Sequence, residues 1–147
     1  MMTPSQSFLR STPRTFEIAA RLDQIDLALT WIRQIADEAR WPQHTLFGLT
    51  LSLDEALTNI VTYAFKPNVA PTSAIRLTCV CDAKGIVLQI EDEGVAFDPT
   101  LATPPARAET LEDAEIGGHG LRLMHHYLDA IHYERRGGHN VLTLVGR

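Results

Sequence analysis

A chain of 147 residues with a formal net charge of −5 and no basic run is one domain of ordinary size, long enough to bury a real core. That charge balance gives no support to electrostatic capture of nucleic acid or of an anionic membrane. No stretch approaches the roughly 18 apolar residues of a membrane span, and the opening "MMTPSQSFLRSTPR" has no apolar core of signal-peptide length, so a cytoplasmic protein is expected.

Residues 1–13, rich in Ser, Thr and Pro, read as a loose arm ahead of a single domain over 14–147. "RTFEIAA", Arg14 to Ala20, reads as a strand. From Gln24 to Ala39 the residues Ile25, Leu29, Ile32, Ile35, Ala36 and Ala39 recur at helical spacing, and Pro42 stops the pattern. A second, longer helix is expected from about Gln43 to Ala64, with Leu46, Leu49, Leu53, Leu57, Ile60 and Ala64 along one face, ended by "KPNVAP". The period then changes to two. "SAIRLTCVCD" and "IVLQIED" alternate around a turn at Lys84-Gly85 and make a hairpin. Cys79 and Cys81 fall on one face of the first of these strands, where direct bonding is awkward, so they read as buried free thiols.

Pro99 to Ile116 is a Pro-, Ala-, Thr- and acid-rich connection, longer than the roughly 12 to 15 residues usual in a compact domain, and such loops are functional or disordered. A third helix is expected from about Leu121 to Asp129. "IHYERR", a Gly137-Gly138 turn and "NVLTLVG" close the chain as a second hairpin. The order strand, helix, helix, hairpin, loop, helix, hairpin implies an α+β fold: a two-layer sandwich with a mainly antiparallel mixed sheet and three helices on one face. The six histidines have no metal-ligand spacing, and the adjacent His125 and His126 diverge on a helix.

Three constellations carry chemistry. In "LSLDEALTNIVTYAF", Glu55 and Asn59 lie one turn apart, away from the apolar stripe, on a face that also holds Ser52, Thr58 and Thr62. A carboxylate and an amide so placed can orient a nucleophile and ligate Mg²⁺ through oxygen. A polar solvent face would place them equally well. In "EDEGVAFDP" a strand ends in Asp92, and Gly94 frees the backbone to turn closely against a ligand, so the carboxylate can accept from an exocyclic amine. An ordinary acidic turn has the same composition. In "IGGHGLRLM", Gly117, Gly118 and Gly120 precede a helix whose free amides favour an anion, although such glycines also serve as hinges.

In this order the three are specific: the chain resembles the GHKL ATPase superfamily, the ATP-binding (Bergerat) fold of histidine-kinase catalytic domains, gyrase B and MutL. Within it, the sequence is most similar to the anti-sigma-factor serine/threonine kinases of the RsbW and SpoIIAB type. "DEALTNIVTYAF" resembles their N box, "DEGVAFDP" their G1 box, and "GGHGLRLMHHYLDAIHYERRGGHNVLTLV" their G2 box with the terminal hairpin. The match runs from about Phe16 to Val145.

The resemblance implies ATP and Mg²⁺ as cofactors, with Asn59 as the metal residue and Glu55 as catalytic base or nucleophile-orienting group. It implies that Asp92 recognises adenine N6, with Gly94 and Phe97 at the base pocket. Gly117, Gly118, His119, Gly120 and Leu121 would lie along the phosphates, and 99–116 would be the ATP lid, with Arg107 as a phosphate partner. It further implies two protein partners, a STAS-type anti-sigma antagonist as phosphoacceptor and a sigma factor, and a homodimer. Histidine-kinase catalytic domains commonly carry Asn where Glu55 stands and use a separate phosphoacceptor domain. Two rival readings remain: a nucleotide-gated binding module that does not phosphorylate its partner, and a stand-alone catalytic module acting on a two-component partner.

Overall fold

The structure, a computed structural model, describes residues 12–65, 73–101 and 121–146. β1 (Arg14–Ala19) leads through a 3-10 turn at Leu22–Gln24 into α1 (Ile25–Ala39). The residues α1 buries are Ile25, Ala28, Leu29, Ile32, Ile35 and Ala36, a single three-and-four stripe. The helix ends on Arg40 in the left-handed region, φ 55°, whose N–H reaches the carbonyls of Ala36 and Asp37. Pro42 then opens α2 (Gln43–Asn59), at a position where its missing N–H leaves no intrahelical bond unmade.

The expected apolar stripe of α2 is buried at Leu49, Leu53 and Leu57, and a second row of small residues, Thr45, Gly48, Ser52 and Ala56, is buried beside it. The cause at one end of that row is α3, helical over residues 121–127. A Cβ on Gly48 would stand 2.6 Å from Cβ of Tyr127, so glycine is what allows the two helices to approach. Phe47 meets the same tyrosine ring edge-on at 5.3 Å. The α-helical hydrogen bonding stops at Asn59, five residues short of the expected end. Ile60–Ala64 form a π-helical turn instead, and Ile60 and Ala64 remain buried as the stripe requires.

Among the described residues the strands make one five-stranded sheet in the order β1-β2-β3-β5-β4, with β2 at Ala74–Asp82, β3 at Gly85–Asp92, β4 at Ala130–Arg136 and β5 at His139–Gly146. Each pairing is antiparallel. Asp82 closes the β2–β3 turn by accepting from the N–H groups of Lys84 (2.7 Å) and Gly85 (3.1 Å). Alternation then decides what faces the helices. Ile75, Leu77 and Cys79 of β2, Ile86, Leu88 and Ile90 of β3, and Leu142 and Leu144 of β5 are buried against Ile32, Leu49, Leu53 and Leu57. Each such aliphatic side chain contributes about 1.5–3 kcal/mol by leaving water. The result is the two-layer α+β sandwich that the element order implied.

Cys79 is buried and Cys81 half-buried, both as free thiols. The Cys79 thiol donates to the sulfur of Cys81, which pushes Cys79 up and Cys81 down.

Candidate functional site

The face of α2 that carries Glu55 is closed at one end and open at the other. Ser52 is fully buried, its hydroxyl without a protein partner among the described residues, whereas Glu55 and Asn59 are half-buried. Partial burial pushes the Glu55 carboxyl above the usual carboxylate range, with Asp54 adding to the rise, while a hydrogen bond from Asn59 opposes both. A carboxylate only accepts, so Asn59 donates through its amide N–H₂ and leaves its carbonyl oxygen for another partner. The pair thus presents one carboxylate raised toward the range of a general base and one hard oxygen suited to Mg²⁺.

Asp92 lies at the end of β3, in phase with Ile86, Leu88 and Ile90, so the pleat turns it to the helix side of the sheet, where it is 1% exposed. Its Oδ1 accepts from the N–H of Gly94 at 2.8 Å and from Nδ2 of Asn140 at 2.9 Å. Its Oδ2 is buried and has no hydrogen-bond partner among the described residues. Burial raises this carboxyl, and the bonds from Asn140 and Gly94, with the charges of Arg135 and His139, hold the rise back. An unpartnered buried acceptor beside a close backbone turn fits an exocyclic amine.

The turn after Asp92 is fastened to the end of the Glu55 helix. The N–H of Val95 donates to the carbonyl of Ala64 at 2.9 Å. A Cβ at position 94 would sit 2.5 Å from that carbonyl oxygen and 2.9 Å from Cβ of Ala64, so Gly94 is required by close approach. Phe97, half-buried, stacks on Tyr63 at 5.5 Å between centroids. Glu55 and Asn59, Asp92 and Gly94, and Phe97 are therefore parts of one connected region.

The sequence reading missed the residue at the centre of that region. Asn140, opposite Asp92 on β5, is 3% exposed. Its Nδ2 donates to Asp92 and, at 2.8 Å, to the carbonyl of Val95. Its Oδ1 accepts from the N–H of Phe97 and from Nη1 of Arg135, both at 3.1 Å, and from the hydroxyl of Tyr133. Arg135 also donates to the carbonyl of Gly94 at 2.8 Å. The signal was present: Asn140 is in phase with Leu142 and Leu144, and an amide at a core position of a strand demands partners.

The glycine box at Gly117, Gly118, His119 and Gly120 lies outside the described residues, as does the expected lid beyond Leu101, including Arg107. Leu121 is the first described residue of α3 and is half-buried. Among the described residues no three His, Cys, Asp or Glu side chains converge as metal ligands, and no helix is long and apolar enough to cross a membrane.

Comparison with known proteins bears on the whole of this arrangement. The serine/threonine-protein kinase BtrW of Bordetella bronchiseptica is 44% identical over 137 residues, which is 93% of this chain and 95% of the relative. A crystal structure of the RsbU and RsbW domains of Rv1364c from Mycobacterium tuberculosis shares the fold, with a TM-score of 0.64 at 12% identity over 93% of this chain. This chain spans 32% of that longer protein. A family model of the histidine kinase-like ATPase domain matches residues 18–145. The matched span takes in α2 with Glu55 and Asn59, the turn after Asp92 and the hairpin with Asn140, and the chain accordingly belongs to the histidine kinase-like ATPase domain family.

Proposed function

We propose that the protein is an ATP- and Mg²⁺-dependent serine/threonine kinase and anti-sigma factor, working in the cytoplasm as a homodimer. Its phosphoacceptor is a STAS-type anti-sigma antagonist, and its other partner is a sigma factor. The observation that carries the reading is the unpartnered Oδ2 of Asp92, buried on a turn that is hydrogen-bonded to the helix of Glu55 and Asn59. The likeness to a relative named as a serine/threonine-protein kinase supports the choice of acceptor chemistry.

Each side chain has a distinct task. Asp92 accepts from the exocyclic amine of adenine through Oδ2, which ends the isolation of a buried acceptor. Asn59, with its N–H₂ turned to Glu55, offers its carbonyl oxygen to Mg²⁺. The metal, when bound, supplies charge neutralisation along the phosphates. Glu55 takes the proton of the acceptor hydroxyl, and its raised carboxyl makes it a stronger base than an ordinary carboxylate. Phosphoryl transfer depends chiefly on positioning and electrostatics, so the connection from Ala64 to Val95 sets base and acceptor in a common frame.

Transfer of γ-phosphate from ATP to a cognate STAS protein, run beside a pull-down, tests the reading. Acid-stable label on Ser or Thr is the expected result. Capture without label over long incubation establishes the nucleotide-gated binding module instead, and acid-labile label establishes a histidine-directed module.

A further inference from the structure

We infer that Asn140 is the positioning residue for base recognition, fixing the Asp92 carboxylate and the turn over residues 94–97 so that one carboxylate oxygen alone is left for the base. This role rests on the reading of Asp92 as the base acceptor and adds the residue that makes that acceptor selective.

The hydrogen-bonding capacity of Asn140 is fully committed. Both N–H groups of its amide are used, one by Oδ1 of Asp92 and one by the carbonyl of Val95. Its oxygen faces donors only: the N–H of Phe97, Nη1 of Arg135 and the hydroxyl of Tyr133. Reversing the amide would set N–H against two groups that only donate, the Phe97 N–H and Arg135, and oxygen against two acceptors, so the network fixes its orientation. In register, Asp92, Asn140 and Arg135 form one row across β3, β5 and β4.

The consequence for Asp92 is a loss of symmetry. A free carboxylate has two equivalent oxygens and turns readily about its terminal bond. Here Asn140 and Gly94 both donate to Oδ1, and none of the described groups donates to Oδ2. Without the Asn140 amide, Asp92 keeps a single donor, and the turn loses the bonds that Asn140 makes to the Val95 carbonyl and the Phe97 N–H. A hydroxyl cannot replace it, since one O–H cannot reach both Asp92 and Val95. An aspartate cannot either, since it has no donor for Asp92 when ionised.

The test compares binding of ATP with binding of purine riboside triphosphate, which lacks the amine at C6, to the full chain. Wild type should prefer ATP by about ten- to a hundred-fold, the value of a hydrogen bond to a charged group. Asn140→Ala should shrink that preference to within about three-fold, with far-UV circular dichroism unchanged. Equal weakening of both nucleotides, with the ratio kept, is what a merely structural residue gives and overturns the role of Asn140 alone. A wild type without preference for the amine overturns the reading of Asp92 and the role of Asn140 with it.

Asn140→Asp carries the test if the alanine variant folds poorly. Two buried carboxylates at that distance share a proton, so ATP affinity should fall with rising pH, as that proton is lost, more steeply than in wild type. Arg135 of β4 and His139 of β5 are the other charged or titratable groups whose fields reach Asp92, and both stay in place. A pH profile identical to wild type contradicts the positioning role.

Discussion

The carbonyl of Ala64 accepts the N–H of Val95 at 2.9 Å, and the same oxygen would lie 2.5 Å from a Cβ at position 94. The end of the α2 element and the turn after β3 are thus joined by a hydrogen bond that only glycine at 94 allows. The π turn at Ile60–Ala64 brings the chain to that point, since Ala64 is its last residue. π turns inside helices are frequent at functional sites.

Gly94→Ala should therefore be costly in two ways. The added methyl must displace backbone, which is stiffer than a side-chain end, so a loss of about 1–3 kcal/mol is expected. Because the displaced backbone belongs to the base turn, ATP affinity should fall in parallel. Chemical denaturation and calorimetry measure the two effects, and a fully stable variant with intact ATP binding would contradict the close approach.

Asp92→Asn should loosen discrimination of ATP from GTP, because an amide N–H₂ can replace the acceptor that faces the base. It should also stabilise the protein without nucleotide at neutral pH. The sign follows from the raised carboxyl: the folded state holds the Asp92 proton more tightly than the unfolded state, so stability falls as pH rises from the unfolded value through the raised folded value. The neutral amide escapes that loss. Melting temperatures of variant and wild type should diverge above this window and converge below it. A variant less stable than wild type at pH 8 would count against burial as the dominant influence on Asp92.

For Asn59→Ala the expected result is loss of metal-dependent ATP binding with the fold kept. Asn59 is half-buried and lies off the Leu49, Leu53 and Leu57 stripe, so truncation opens no core cavity. The Mg²⁺-dependent part of ATP affinity should drop at least about ten-fold, a loss seen even for groups that only hydrogen-bond to a metal's ligands. Titration calorimetry with and without Mg²⁺ decides it. Unchanged affinity in the presence of the metal would remove Asn59 from the site.

Glu55→Gln separates binding from chemistry. Most ATP affinity should remain while phosphoryl transfer falls by about 10²–10⁴-fold, the usual contribution of a general base. In wild type, transfer should decline as pH falls through the raised Glu55 value, since protonation removes the acceptor for the hydroxyl proton. The glutamine variant should lack that limb. Full transfer activity in Glu55→Gln would leave the kinase assignment standing and strike Glu55 from the mechanism.

Periodicity made the elements legible, because both the helical stripe at Leu49, Leu53 and Leu57 and the alternation of Ile86, Leu88 and Ile90 are local signals. The second buried row of α2 was not, since burial of Gly48 depends on Tyr127, far away in the chain. The break at Asn59 escaped for a related reason: nothing local distinguishes a π turn from continued helix when Ile60 and Ala64 keep the spacing. Glu55, Asn59, Asp92 and Gly94 stood out as polar or small residues in suggestive places. Asn140 did not, because its importance lies in partners from three other segments rather than in any neighbour. The structure makes it the group to which Asp92, Val95, Phe97, Tyr133 and Arg135 are all bonded.

The strand order β1-β2-β3-β5-β4 has a consequence for the time course of folding. Strands β2 and β3 can pair at once across their tight turn, but Asp92 meets Asn140 only across 48 residues of chain. Closing so long a loop is slow relative to local pairing. During vectorial synthesis α2 and the first hairpin are complete before β5 exists, and the β3 edge and the Asp92 carboxylate wait exposed until the last strand docks. Nucleotide competence is therefore a late event in the life of the chain, and a nascent chain halted before β5 should hold much of its secondary structure without the ability to hold ATP.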